Sequence, residues 1–286
     1  MRMRRILIGL AAGTTLLVTA LVFTVVPSIA AGGLLHPARV APYRTMPTAC
    51  IEREFAGDGL TLRGWSCAAA GQRRGTVVYL HGVADNRSSA VGAIDHLTRR
   101  GFDLVTYDSR AHGQSDGTSC TYGFHEKRDL RRVIDTLSPG PVVLIGSSLG
   151  GAVAIQGAVG NERVAGVIAA ETFSDLRTIA IERAPRLLLS LLISRAFRVA
   201  EERGQFDVAS VSPIHAAASL RIPVLLIHGA DDVDTLPEHS RRILAALNGP
   251  KQLLLVPRAG HNQSMNSPMA WVEIDRWLSA VVPADL

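Results

Sequence analysis

Residues 142–158 read VVLIGSSLGGAVAIQGA. The opening VVLIG is β-branched and apolar with no polar alternation, the composition of a strand buried on both faces. The segment from Leu149 onward is alanine-rich and suits a helix packed against that strand. Between them stands Gly146-Ser147-Ser148-Leu149-Gly150, the pattern G-x-S-x-G. A serine at the centre of so tight a strand-to-helix turn takes a strained backbone conformation, and the positions two residues to either side have no room for bulk, a requirement glycine meets. The turn lifts the Ser148 hydroxyl above the sheet, at a helix N-terminus whose partial positive charge favours a developing oxyanion. Ser148 is therefore the candidate nucleophile and Ser147 its supporting neighbour.

Outward from this turn the chain alternates two kinds of segment. Short runs rich in valine, leucine and isoleucine occur at 76–80 (TVVYL), 103–108 (DLVTYD), 164–170 (VAGVIAA), 223–229 (PVLLIHG) and 251–256 (KQLLLV). Segments of helical length lie at 88–99, 126–137, 149–159, 237–247 and 268–281. The alternation predicts an α/β fold built on a mostly parallel, doubly wound sheet. In front of it, CIEREFAGDGLTLRGWSC at 50–67 alternates on both sides of Asp58-Gly59, a strong two-residue hairpin signal. An unbulged ladder sets Gly57 opposite Leu60, Phe55 opposite Leu62 and Cys50 opposite Cys67. Opposed residues at a non-hydrogen-bonded site have Cα atoms ~4.5 Å apart, within disulfide reach. A single bulge would shift the register and leave two free thiols. Cys120 is the odd cysteine and is expected to be buried. The interval 172–222 breaks the rhythm, and its IAIERAPRLLLSLLISRAFRVAEE (179–202) is helical and unusually apolar. It suits a cap inserted over one end of the sheet, or an ordinary pair of packing helices with one wide apolar face.

The N-terminus has its own character. MRMRR precedes residues 6–29, which carry no charge. About 20 apolar residues cover the ~30 Å of a bilayer core, whereas a secretory signal has an apolar core of roughly 7–15. Residues 1–31 are thus expected to be an uncleaved membrane anchor, with a cleaved signal ending at Ser28-Ile29-Ala30 as the alternative. In both cases Arg2, Arg4 and Arg5 stay cytoplasmic and the remainder lies outside, anchored or secreted. Residues 32–49 hold several prolines without apolar period and read as a linker, leaving 50–286 as the body, with the cap at about 172–222. At 47% hydrophobic, 286 residues bury a full core. The net charge of +5 comes from scattered arginines, so no nucleic-acid partner is expected.

Five stretches now carry a resemblance: YLHGVADNR (79–87), YDSRAHGQSDG (107–117), GSSLGG (146–151), IHGADDVDTLPEHS (227–240) and RAGHNQS (258–264). In this order they resemble the α/β-hydrolase superfamily over residues 52–278, most nearly its serine aminopeptidase-like and dienelactone-hydrolase-like branch. The resemblance implies the chain order serine, acid, histidine. His261 takes the base position. His215, His228 and His239 compete on position, but His228 resembles a structural strand-end turn and the others sit in or beside helices. H-G-x-x-D selects Asp232 as the acid. Pro237 falls about one residue late for the family pattern, which keeps Asp234 open, and Glu171 at the end of an earlier strand is a third candidate. The oxyanion donors are expected to be the backbone amides of Leu149 and Val83. Asp85, Asn86, Arg87, Asp108, Arg110 and His112 read as loop architecture first and substrate contacts second.

A serine at the elbow, where dehalogenases and epoxide hydrolases of this superfamily carry aspartate, excludes their alkyl-enzyme chemistry. Zinc-ligand spacing, dinucleotide glycine loops and phosphate loops are absent from the sequence, so no metal or cofactor is expected. The expected function is hydrolysis of a carboxylic ester or thioester of a small-molecule acyl substrate, through an acyl-enzyme on Ser148. The alternatives are a membrane-anchored serine peptidase and a non-catalytic binding protein on the same fold. The apolar cap around 177–200, with Leu188 among its positions, is expected to favour acyl chains of moderate length over acetyl. No feature of the sequence specifies an oligomeric state.

Overall fold

A computed structural model describes residues 2–185 and 190–284. Its strands are β1 (Cys50–Ala56), β2 (Thr61–Cys67), β3 (Gly75–Leu80), β4 (Phe102–Tyr107), β5 (Val142–Ser147), β6 (Val164–Ala170), β7 (Val224–Gly229) and β8 (Lys251–Val256). Among the described residues they form one eight-stranded sheet, ordered β1-β2-β4-β3-β5-β6-β7-β8. From β4 to β8 every pairing is parallel. β1 and β2 close antiparallel around Asp58-Gly59 and β2 pairs antiparallel with β4, so the hairpin extends one edge.

The hairpin has the expected register, with Phe55 opposite Leu62 and Cys50 opposite Cys67. Gly57 N–H donates to Leu60 O at 2.8 Å to close the turn. Cys50 and Cys67 are joined by a disulfide, and Cys120 is a buried free thiol.

The helices are α1 (Arg2–Leu35), α2 (Val91–Thr98), α3 (Glu126–Asp135), α4 (Leu149–Ala158), α5 (Leu176–Arg183), α6 (Ser190–Gly204), α7 (Pro213–Ser219), α8 (Glu238–Ala246) and α9 (Pro268–Val281). The expected 88–99 helix begins with a 3-10 turn over Arg87–Ala90, because Asn86 caps Ser88 N–H. Both sheet faces are covered. Val78, Leu80, Leu144 and Leu226 pack with residues of α3, α4, α7 and α8. Val77, Val143, Ile145, Leu225 and Ile227 pack with residues of α2 and α9. The central strands are mostly apolar because both of their faces are covered.

Between β6 and β7, α5 and α6 form a separate apolar cluster with Phe173, Phe206 and Val208. The end of α1 belongs to it. The helix expected to stop at Ala31 continues to Leu35, and Ala31 and Leu35 are both buried there. Leu35 O accepts from Cys120 N–H at 2.8 Å, Leu34 O from Tyr122 O–H at 3.1 Å, and Ser28 Oγ from the Arg203 guanidinium at 2.6 Å. Burial of Leu34 and Leu35 carries the helix past the glycine pair Gly32-Gly33. Residues 36–49 hold no helix or strand before β1, yet they follow the body: Arg39 donates to Ser115 O, Tyr43 N–H to Ser88 Oγ, and Asn86 to Ala41 O. Upstream, apolar side chains of α1 such as Ile6, Leu7, Leu16, Leu17, Leu21 and Val25 are exposed, and the helix, with mean hydropathy 2.3 over its most apolar window, is long and apolar enough to cross a membrane. Leu188 lies outside the described residues.

Candidate active site

Ser148 sits between β5 and α4 with φ 51° and ψ −113°. The turn is held from both sides. Ser148 N–H donates to Ala170 O at 2.8 Å, and Thr172 Oγ donates to Ser148 O at 2.9 Å. The glycines flanking it are required sterically. A Cβ on Gly146 would lie 2.2 Å from the Gly150 backbone, and one on Gly150 would lie 2.1 Å from Leu80 O. The sequence reading of this pentapeptide therefore matches the packing.

His261 reaches Ser148 from the loop after β8. Its Nε2 is 3.1 Å from Ser148 Oγ and its Nδ1 is 2.8 Å from Asp232 Oδ2. A carboxylate only accepts, so Nδ1 carries the proton and the Nε2 lone pair faces the serine hydroxyl. Asp232, in the loop after β7, is almost fully buried. Its Oδ1 accepts from the amides of Asp234 and Thr235, each at 2.9 Å, and its Oδ2 also meets His228 Nε2 at 3.3 Å. Burial pushes the carboxyl pKa up, but the hydrogen bonds from His228, His261 and Thr235 outweigh it and hold the group well below the usual carboxylate range.

The other acid candidates fall elsewhere. Asp234 is exposed, and its carbonyl accepts from Arg183 Nε at 3.0 Å. Glu171, fully buried with φ 52°, points under the histidine loop, where Oε1 accepts from the amides of Gln263 at 3.1 Å and Ser264 at 2.8 Å. It holds the segment that carries His261 without touching the imidazole. The competing histidines are engaged apart from Ser148. His228 bonds Ser240 and Thr235 O, His239 bonds Ser174 and Glu182, and His215 lies in the first turn of α7, where its backbone N–H donates to the capping Ser212 Oγ.

Val83 lines the same cavity of about 290 Å³ as Ser148 and His261, and Leu149 begins α4 directly after Ser148. Among the described residues neither amide donates to a protein acceptor. Asn86, Arg87, Asp108, Arg110 and His112 prove to be loop architecture. Arg87 and Asp108 form a buried pair at 2.5 Å, and Arg110 grips Asp129 through two bonds of 2.7 and 2.8 Å. Asp85 instead lines a second, polar cavity of about 610 Å³ with Tyr43, Arg44 and His96, which shares Val83 and Asn262 with the serine cavity.

Two residues at the site, Asn262 and Arg183, were not singled out in the sequence, and His228 was weighed there only as a competing base and a strand-end turn. Asn262 has φ 60° and accepts from Ser147 Oγ at 3.2 Å. His228 touches the Asp232 carboxylate from beneath. Arg183, at the end of α5, lies across the acid loop, bonded to Asp234 O and to Thr235 Oγ at 2.9 Å. Asn262 directly follows the histidine and His228 opens H-G-x-x-D, so proximity to a motif was their available signal; Arg183 had none.

Comparison with known proteins agrees with this layout. The model of the alpha/beta hydrolase fold matches residues 75–189, and that of the prolyl oligopeptidase family matches residues 134–281. "Uncharacterized protein YfhR" of Escherichia coli (strain K12) is 30% identical over 259 residues, covering 86% of this chain and 85% of that protein. In structure the chain is similar to the Pyrococcus furiosus esterase Pf2001, with TM-score 0.69 and 23% identity over 86% of this chain and 99% of that one. It is also similar to the Pyrococcus horikoshii acylaminoacyl peptidase, with TM-score 0.64 and 15% identity over 83% of this chain and 42% of that one. At such identities the structural likeness concerns the fold. With the strand order, the elbow and the family matches together, the chain belongs to the α/β-hydrolase superfamily.

Proposed function

We propose that this chain is a serine hydrolase that cleaves carboxylic esters or thioesters through an acyl-enzyme on Ser148. The observation that carries the reading is the hydrogen-bonded sequence Ser148–His261–Asp232, with the serine strained at the head of α4. His261 Nε2 takes the hydroxyl proton as Oγ attacks the carbonyl carbon, and Asp232 holds the imidazolium that forms. The amides of Val83 and Leu149 receive the oxyanion, assisted by the α4 N-terminus. His261 then protonates the leaving alcohol or thiol, and water repeats the cycle on the acyl-enzyme. The polar cavity lined by Asn262 and Asp85 is the route taken by the leaving group in this reading.

In this reading α1 anchors the protein and the body lies on the extracytoplasmic side. Arg2, Arg4 and Arg5 favour a cytoplasmic N-terminus, and the Cys50–Cys67 disulfide suits an oxidising compartment.

Labelling of the full chain by a fluorophosphonate tests the mechanism. Wild type is expected to be labelled on Ser148 and Ser148→Ala to lose the label, and an intact, unlabelled wild type overturns the reading in favour of a binding protein. The prolyl oligopeptidase family match keeps a peptidase as the second reading. Turnover of aminoacyl amides exceeding that of acyl esters selects it.

A further inference from the structure

The serine cavity has another neighbour, of about 420 Å³, within the range of small-molecule sites, whose lining is mostly apolar. Ile179 of α5 and Ile193 and Phe197 of α6 form part of its wall, and Ala30, Ala31 and Leu34 of α1 form another. Arg183 lines both this cavity and the one that holds Ser148 and His261. Its guanidinium is drawn onto Asp234 O and Thr235 Oγ, which leaves the arginine at the boundary between the two spaces. The polar cavity with Tyr43, Arg44 and Asp85 shares Val83 and Asn262 with the serine cavity instead. The serine thus has an apolar neighbour space and a polar one, distinguished by the residues they share with it.

We infer that the apolar cavity receives the acyl chain of the substrate and that the last two turns of the N-terminal helix are part of its wall. This rests on the proposed hydrolysis at Ser148. The helix end is built into the body through Leu35, Ser28 and Tyr122, so the wall is a fixed element of the fold. Upstream of that wall the helix is apolar and exposed, so the cavity stands where the chain leaves the body for a bilayer. An acyl chain held in that bilayer matches the lining chemically, and its ester carbonyl would emerge past Arg183 at Ser148. The N-terminal segment then serves chain-length selection as well as attachment.

The test uses the full chain in phosphatidylcholine vesicles and a decyl fluorophosphonate bearing a diazirine at the chain end. Ser148 Oγ bonds phosphorus as fluoride leaves and the hydroxyl proton passes to His261, so the decyl chain lies where an acyl chain would. After irradiation, peptide mapping is expected to find crosslinks on residues 30–35 of α1 or on α5 and α6. Labelling of Ser148 with crosslinks confined to Tyr43, Arg44 or residues 265–271, or with no crosslink to protein, overturns the inference and leaves the hydrolase reading standing. Absence of Ser148 labelling overturns both. A second measurement uses Gly33→Leu, because Gly33 lines the cavity and a Cβ there meets no atom within 4 Å. The ratio of octanoyl to acetyl ester specificity constants is expected to fall about fourfold for each methylene kept out of the cavity. Ala196→Trp, on the α6 wall, should lower the same ratio, and an unchanged ratio in both variants overturns the inference.

Discussion

Replacing Asp232 by asparagine tests the arrangement through hydrogen-bond bookkeeping at one side chain. The carboxylate accepts the amides of Asp234 and Thr235 on Oδ1 and the His261 Nδ1–H on Oδ2. Asparagine supplies one oxygen and one NH₂. If the oxygen stays with the two amides, the NH₂ faces His261 and forces the proton from Nδ1 to Nε2, so the imidazole presents N–H to Ser148 and ceases to be a base. If the oxygen turns to His261, the buried Thr235 amide faces an NH₂, at about 1–3 kcal/mol, and the half-buried Asp234 amide loses its acceptor as well. The second orientation loses two bonds to keep one, so the first prevails. A wrong tautomer with geometry otherwise intact costs about 10⁴ in kcat in comparable triads. Asp234→Asn leaves these bonds in place and is expected to change kcat by less than about threefold, since that side chain is exposed and does not reach the imidazole. The assay is steady-state hydrolysis of a butyryl ester by the full chain in mild detergent, with circular dichroism to confirm folding. An Asp232→Asn enzyme within tenfold of wild type, or one more active than Asp234→Asn, refutes the reasoning.

Acidification should destabilise the fold through buried neutral histidines. Burial pushes His112 down to about 4, so below about pH 6.5 the unfolded chain binds a proton that the folded one does not. Stability is lost as pH falls from about 6.5 to about 4, by about 3 kcal/mol from this group; urea denaturation at pH 7 and pH 4.5 should show His112→Gln with the smaller difference. Non-reducing peptide mapping should find Cys50 linked to Cys67 and Cys120 free. Reduction is expected to cost about 3 kcal/mol, as for closed loops of about 15 residues, and quantitative alkylation without reductant contradicts the pairing. Gly150→Ala forces a Cβ to within 2.1 Å of Leu80 O and should yield a protease-sensitive chain. Wild-type resistance to limited proteolysis in this variant would show that the elbow is looser than its packing.

Much of the fold was legible because the signals are local. Runs buried on both faces lack polar alternation, helical segments have helical length, and Asp58-Gly59 sets a register that brings Cys50 to Cys67 with no information from elsewhere in the chain. The strained elbow was legible for the same reason, since the glycines it needs stand two residues from Ser148. Motif spacing also brought forward Asp232 and His261.

Tertiary structure decided what depends on approach between distant segments. Asp232 and Asp234 are the same residue type two positions apart, and a carboxylate of either could orient an imidazole. The turn after β7 buries one against His261 and leaves the other exposed. Glu171 stands at the end of its strand as foreseen, but whether it faced the imidazole or the amides of Gln263 and Ser264 depended on a loop some ninety residues away. The sequence marked the N-terminal helix as apolar and its follow-on as a linker. Only packing shows Leu35 buried beside Gly204 and Ala31 lining a cavity with α5 and α6. Local sequence sets backbone preference and burial, whereas which buried surface meets which is chosen by the collective packing of the whole chain.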